Sequence, residues 1–247
     1  MAVHTARENI KERVPQRWGI ESARVVLIPP DEYQDAAMAR LLSDLETMKY
    51  LRFMTKPNGY TVEDAAERRK YRDDCQINSK DMVNFIIALK KSQIPDSVID
   101  KFQQNEYFAP RKILIDGGLI DLDEPFVIVG CCGLSGIDGS NHSCEAGIIL
   151  DARLWRSGAS TASLYLTLEY GFDILHLHRI VLLTIGANLA MRGWMENVVG
   201  VDVESVRKDV IYMGDGAYID SWDYAVFDHE WNDHSKQSIL ERMKYTK

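Results

Sequence analysis

Residues 151–160 read Asp-Ala-Arg-Leu-Trp-Arg-Ser-Gly-Ala-Ser (DARLWRSGAS). They join a run rich in branched aliphatics, Gly147-Ile148-Ile149-Leu150, to the helix-like TASLYLTLEYGFDIL of 161–175. A strand that passes through a glycine-containing loop into a helix is either an ordinary turn or a pocket for an anion. The first helical turn leaves backbone N–H groups without partners, and the helix dipole places roughly half a positive charge there, so a phosphate can bind without a charged side chain. Gly158 has no Cβ and lets an anion approach the backbone, Ser160 is a candidate helix cap, and Arg156 can add a full charge. Alone, W-x-x-G-x-S does not decide between the two readings.

Working outward, 144–150 reads as a strand, joined by the GIDGSNH turn to 126–134 (FVIVGCCGL), where the adjacent Cys131 and Cys132 face opposite sides. Upstream, 24–28 is a β-branched run ended by Pro29-Pro30. A helix is expected over 31–48 from Ala36, Ala37, Ala39, Leu41, Leu42 and Leu45, and 82–89 is a second strand. Between them Thr61-Val62-Glu63-Asp64 has the form of a capping box before a mostly solvated helix. Downstream, Tyr165, Leu168, Phe172 and Leu175 form one helical stripe that reads as core. Residues 180–185 give a fifth strand and 189–197 a short helix. A Met213-Gly214-Asp215-Gly216 turn then joins two final strands, the last at 222–227. The pattern loosens from 90 to 124, an insertion candidate within a single domain of 24–230. An N-terminal extension (1–23) and a polar C-terminal tail (231–247) complete the expected organisation.

With 247 residues, 46% hydrophobic and 27% charged, the chain has the balance of a globular protein. Its net charge of −8 repels polyanions, so nucleic acid is not an expected partner. Apolar runs are too short to span a bilayer and no secretory h-region opens the chain, so no membrane association and a cytoplasmic location are expected. The four cysteines have no paired metal-ligand spacing; they read as reduced core residues, and no metal is expected. No phosphate-binding P-loop appears, GDGAYI is not a dinucleotide fingerprint, and Gly133-Leu134-Ser135-Gly136-Ile137 lacks the last glycine of a nucleophile elbow.

The order of the pieces is more specific than any one of them. CEAGIILDARLWRSGASTAS, then LHLHRIVLLTIGAN, then DGAYIDSW resembles the GNAT acyltransferases, especially the branch similar to ribosomal-protein N-terminal acetyltransferases; RVVLIPPDEYQDAAMARLLSDLETMKYLRFM resembles the family's opening strand and helix. The resemblance implies an α/β (α+β) GNAT fold: a mixed, mostly antiparallel twisted sheet of about seven strands, flanked by helices and splayed between strands four and five. It implies acetyl-CoA as cosubstrate and an amine acceptor as partner, and leaves a homodimer open. In the family this junction binds the coenzyme A pyrophosphate through backbone amides, which assigns Arg156, Ser157, Gly158, Ala159, Ser160 and Thr161. Pantetheine follows the fourth strand, which assigns Ile148, Ile149 and Leu150, and Asn188 matches an Asn of the same cleft. Arg156 and Ser160 replace a family Gly and Ala.

An alkylamine with a pKa near ~10 is mostly protonated at neutral pH and must lose a proton before it attacks a thioester. Glu145 matches the Glu of the family strand and is the candidate base; the alternative is a strand carboxylate facing solvent. Asp220 and Asp223 are secondary candidates. Many GNAT enzymes use a Tyr after strand five to protonate the departing thiolate. Counting from Asn188 puts Met195 there, and aligning on Arg192 puts Trp194 there. The sequence thus supports an N-acetyltransferase acting on a small primary amine by direct transfer in a ternary complex. A protein N-terminal acetyltransferase and a degenerate acyl-CoA-binding module stand as alternatives. The acidic stretch 116–124 is either an attractor for a cationic acceptor or a solvated loop.

Overall fold

The computed structural model describes residues 10–102, 107–108, 112–116, 118–121, 124–213 and 216–245. Its strands are β1 (Ile20–Glu21), β2 (Val26–Ile28), β3 (Met82–Lys90), β4 (Tyr107–Phe108), β5 (Lys112–Ile115), β6 (Gly118–Asp121), β7 (Phe126–Asp138), β8 (Ser143–Leu150), β9 (Arg179–Ile185), β10 (Val203–Tyr212) and β11 (Tyr218–Phe227). The helices are α1 (Asp35–Ser43), α2 (Val62–Asp74), α3 (Asp96–Ile99), α4 (Ala159–Glu169), α5 (Leu189–Trp194), α6 (Asp228–Glu230) and α7 (Lys236–Tyr245). Nine strands form one sheet in the order β1-β2-β3-β7-β8-β9-β11-β10 with β4 against β7, and β5–β6 is a separate hairpin. The two-residue strands β1 and β4 account for the excess over the expected seven.

All pairs in the large sheet are antiparallel except β8–β9, which run parallel and pair only from Ser143↔Arg179 to Glu145↔Val181. Beyond Glu145 the two strands part, which is the expected splay. One face of the sheet packs on α4 and α7 through Cys132, Leu134, Cys144, Ala146, Leu164, Leu168 and Ile239; the other packs on α1 and α2 through Ile86, Ile128, Ile149, Met38, Leu42 and Ala65. Cys131 joins the second layer and Cys132 the first, as the alternation of a strand requires.

Local chemistry sets the helix ends. Asp44 leaves α1 with an extended ψ of 113° and its carboxylate accepts from the Thr47 N–H at 3.1 Å, so the helix stops at Ser43 and Leu45 is exposed rather than on the apolar face. The capping box before α2 forms: Asp64 N–H donates to Thr61 Oγ1 at 3.1 Å and Thr61 N–H to Asp64 Oδ2 at 2.9 Å.

At three of the expected boundaries the structure shows packed residues. Residues 1–9 of the N-terminal extension lie outside the described residues, but Ile10 and Val14 are buried in the core. The 90–124 segment lies partly outside them; of its described residues, Ile94 and Phe102 join one core layer and Ile113 and Ile120 the other. The polar tail is a packed helical segment: Trp231 is fully buried, stacks on Phe172 at 5.4 Å and donates from Nε1 to Asp173 at 3.0 Å. Its surrounding charged residues masked this anchor. Of the turn at 213–216, Gly214 and Asp215 lie outside the described residues, while Met213 N–H bonds Ala217 O at 2.9 Å.

Candidate functional site

The parting of β8 from β9 opens a cavity of about 1400 Å³. On β7–β8 the register pairs Cys131↔Ile149, Gly133↔Gly147 and Ser135↔Glu145, and all six residues line it. An added Cβ at Gly147 would meet nothing within 4 Å, so the strand face is open at its middle. From Ala146 onward β8 has no ladder partner on the β9 side, apart from the Leu150 carbonyl, which accepts from Trp155 Nε1 at 3.0 Å.

The junction that follows is held from below. Asp151 is buried, caps the next turn by accepting from Arg153 N–H at 3.0 Å, and holds the Arg153 guanidinium at 2.6 Å. Trp155 stacks on Tyr50 at 6.0 Å. Arg156 and Gly158 both have left-handed backbones, with φ of 65° and 87°. The helix begins at Ala159 with Gly158 in the N-cap position, so Ser160 lies in the first turn and is not the cap. Arg156, Gly158, Ser160 and Thr161 line the cavity, as do Ile148, Ile149 and Leu150. Ser157 and Ala159 act beneath them: the Ser157 carbonyl accepts from Arg24, its hydroxyl accepts from Ala159 N–H at 3.3 Å, and Ala159 is fully buried.

Of the three carboxylates singled out, one reaches the cavity. Glu145 lines it at the last position paired to β9, and its carboxylate accepts no hydrogen bond among the described residues. Water reaches its side chain through the open cavity, but the surrounding protein crowds it; this desolvation raises its pKa, Arg207 opposes the rise and Asp223 adds to it. Asp223 faces the Arg207 guanidinium and accepts from Ser205 Oγ at 3.1 Å. Burial alone would raise its pKa, yet the donors Arg207, Ser221 and Ser205 outweigh it and the net shift is downward. Asp220 is away from the cavity, held by Lys208 at 2.7 Å and Asp209 N–H at 3.1 Å. It is one residue out of step with Ser221, which does line the cavity, so strand alternation turns it to the other face.

On the far wall Asn188 caps α5, accepting from Met191 N–H at 3.2 Å and donating to Thr184 Oγ1 at 3.1 Å, with its side of the helix on the cavity. The two alignments after strand five separate: Trp194 lines the cavity, whereas Met195 is wholly buried in the core. Several contributors were not foreseen, among them Arg207, Val210 and Ile211 of β10. Tyr50, Leu51, Phe53 and Met54 lie in the α1–α2 connection, Arg68 and Arg72 on α2, and Ser238 and Arg242 on α7. A helix read as solvated hid the arginines; only their i, i+4 repeat marks them. None of the described residues of the acidic stretch lines this cavity: Asp116 accepts from the Gln16 and Arg17 N–H groups, and Glu124 from Ser92. Among the described residues no three His, Cys, Asp or Glu side chains converge as a metal site. No helix among them is long and apolar enough to cross a membrane.

Known proteins share this fold. A GCN5-related N-acetyltransferase from Brucella melitensis superposes with a TM-score of 0.65 at 20% identity, covering 93% of this chain and 87% of that one. Mycobacterium smegmatis RimJ, solved with CoA-disulfide, gives 0.63 at 17% identity over 92% and 96%. Spermidine N-acetyltransferase from Vibrio cholerae, solved with CoA and spermine, gives 0.61 at 15% over 86% and 100%. At these identities the likeness is one of fold. No curated sequence matches the chain significantly. The family model for the acetyltransferase (GNAT) domain, however, matches residues 24–198, most of the chain, and with the splayed sheet and the glycine-capped α4 it places the protein in the GNAT family as an N-acetyltransferase.

Proposed function

We propose that the protein moves an acetyl group from acetyl-CoA to the primary amine of a small molecule, directly within a ternary complex. The family uses acetyl-CoA, and three observations favour its fit here. The cavity is large enough for cosubstrate and acceptor together. The α4 N-terminus offers N–H groups beside a glycine with φ of 87°. The β8 edge from Ala146 onward has backbone groups free of ladder bonds to β9. On this reading 156–161 hold the pyrophosphate, Ile148, Ile149 and Leu150 hold the pantetheine arm, and Asn188 borders the same cleft.

When bound, acetyl-CoA supplies the acetyl group as a thioester. Glu145 has the proton to remove: an ammonium near pKa ~10 must be discharged, and a carboxylate of raised pKa takes the proton more readily, directly or through water. Most of the rate then comes from holding amine and thioester in register. Arg207 keeps Asp223 in place beside Glu145 and gives that region a fixed positive charge. The four thiols are free and three are buried, which suits a reducing cytoplasm.

The observation that carries the reading is that Glu145, whose carboxylate accepts no hydrogen bond among the described residues, shares one cavity with the α4 N-terminus. The α1–α2 connection and β10 line this same cavity from two sides, which favours a compact acceptor. The motif order shared with the ribosomal-protein branch favours a second reading, acetylation of a protein N-terminus. Release of free thiol from acetyl-CoA, measured against a panel of small amines and separately against N-terminal peptides, tests both. Turnover confined to amines supports the first, turnover confined to peptides the second, and thiol release with neither rejects both.

A further inference from the structure

Three arginines follow closely on α2, and their surroundings differ. Arg69 forks onto Asp35, with Nε to Oδ1 at 2.9 Å and Nη2 to Oδ2 at 3.0 Å. Arg68 and Arg72, four residues apart and therefore on one side of the helix, both line the main cavity. Neither forms an ion pair or a side-chain hydrogen bond among the described residues. Acidic residues outnumber basic ones 37 to 29, so two like charges placed together without an ion pair are not a product of composition. Arg72 is partly buried on the cavity wall: desolvation lowers its pKa, and Arg68 lowers it further. The thiols of Cys131 and Cys75 and the phenol of Tyr71 act the other way, and the carboxylate of the small adjoining pocket, Asp35, is taken up by Arg69. A guanidinium stays charged under such conditions, so its desolvation is uncompensated until an anion arrives.

Topology says which ligand brings that anion. The cosubstrate follows the gap between β8 and β9. Arg72 lies over the opposite flank of β8, where its carbonyl accepts from Asn84 Nδ2 of β3 at 3.0 Å and it borders Cys131 of β7. Cys131 pairs with Ile149, and Ile149, Gly147 and Glu145 share one strand face, a span of roughly 13 Å at the usual rise per residue. The long arginine side chains shorten that span to the length of a small molecule.

We propose that the acceptor is an anionic amine, a molecule carrying both a primary amine and a carboxylate several bonds apart. Arg68 and Arg72 hold the carboxylate while the amine faces Glu145. This rests on the transfer reading above and narrows it: free diamines and simple alkylamines lack the group that the arginines select. The carboxylate has two sources, a free amino-carboxylate or an acidic side chain near a peptide N-terminus.

The test compares 5-aminopentanoate, pentylamine and 1,5-diaminopentane as acceptors, with Ala-Glu-Ala-amide and Ala-Gln-Ala-amide as the peptide arm. The expected kcat/KM for 5-aminopentanoate exceeds those of the other two amines by about 10- to 100-fold, from a charge-assisted fork. That ratio falls toward one in Arg68→Gln/Arg72→Gln, mainly through KM, while Arg72→Lys, which keeps charge but not the planar fork, retains part of it. A preference for the Glu peptide over the Gln peptide that exceeds the free-amine ratio assigns the carboxylate to a peptide. Equal use of charged and neutral acceptors by the wild type, or a ratio unmoved in the double variant, overturns the proposal. So does a loss confined to coenzyme A affinity, which would make the arginines cosubstrate ligands. Calorimetry of the same compounds into the coenzyme A complex reads the anion subsite without chemistry. Selective binding without turnover upholds the subsite and overturns the transfer reading alone; binding without selectivity overturns the subsite alone.

Discussion

Arg207 grips Asp223 through two donors, Nε to Oδ2 and Nη2 to Oδ1 at 3.2 Å, and in doing so separates the chemistry of two neighbouring carboxylates. Asp223 is held charged and its pKa falls; the Glu145 carboxylate accepts no hydrogen bond among the described residues and its pKa rises. Two acids pushed in opposite directions have different tasks available to them. Asp223 is suited to fixing a cation, and Glu145 to taking a proton.

Glu145→Gln keeps size and polarity but cannot accept the proton. Turnover should fall by roughly two to four orders of magnitude with coenzyme A affinity retained, and the deficit should shrink at high pH, where more amine arrives deprotonated. Stability carries an independent sign. Because the folded pKa lies above the unfolded one, wild-type stability decreases as pH rises through the window between them. The variant should therefore melt at or above the wild-type temperature at neutral pH, with the difference vanishing in acid. A lower Tm with unchanged turnover assigns Glu145 a structural role.

Asp223→Asn tests the other half of the pair. Arg207, Ser205 and Ser221 lose a charged acceptor, and the expected cost is about 1–3 kcal/mol by chemical denaturation. The folded pKa of Asp223 is lowered, so its contribution is present above the unfolded carboxylate value and is lost as pH falls through the folded one. The variant should lose less stability on acidification than the wild type. Turnover should stay within about tenfold; a loss as large as that of Glu145→Gln moves the base to Asp223.

The sheet was legible because its strands are short branched-aliphatic runs between turn residues, and the α4 junction because helix starts have a local chemistry. The splay itself could be expected only from motif order; the three-pair ladder from Ser143 to Glu145 is a property of tertiary packing. Periodicity extended α1 to residue 48, but the Asp44 side chain ends it at Ser43. Arg68 and Arg72 were illegible for a related reason. A charged residue facing a cavity and one facing bulk water give the same pattern, and only the position of β7 beneath α2 distinguishes them.

The C-terminal segment offers a direct measure of that gap. Its composition is polar, yet Trp231 is fully buried against Tyr165 and Phe172. Trp231→Ala should cost about 3–5 kcal/mol, and Trp231→Phe, which keeps a ring but loses the bond to Asp173, distinctly less. Denaturant midpoints that match the wild type for both would show the segment to be dispensable.

Trp194 and Met195 are adjacent but face opposite environments, so the same substitution should have opposite effects. Met195→Tyr forces a larger, polar ring into a core position with no exposure and should destabilise by about 1–3 kcal/mol without raising turnover. Trp194→Tyr instead puts a phenol on the cavity wall, where it can donate to a departing thiolate as the indole cannot by proton transfer. Its turnover should equal or exceed that of the wild type. A rise in the Met195 variant alone would reverse the assignment of which residue faces the thioester.

Gly158 links backbone conformation to ligand charge, and two substitutions separate them. Its φ of 87° is unfavourable for any residue with a Cβ, so Gly158→Ala should lower stability by roughly 1–2 kcal/mol even without ligand. If the N–H groups of α4 bind the pyrophosphate, the methyl group should weaken coenzyme A binding by no more than about tenfold, since it adds bulk but no charge. Gly158→Glu carries the same backbone strain and adds a carboxylate beside those N–H groups, where it occupies the anion's place and repels the phosphates. Affinity should then fall by more than about a hundredfold, and 1 M salt should recover little of it, because the side chain blocks the site as well as opposing its charge. Calorimetric titration on variants shown to be folded by their melting curves gives the comparison. If the Ala and Glu variants bind coenzyme A equally well, the pyrophosphate does not sit at the α4 N-terminus, and the basic residues elsewhere on the cavity wall become the place to look for it.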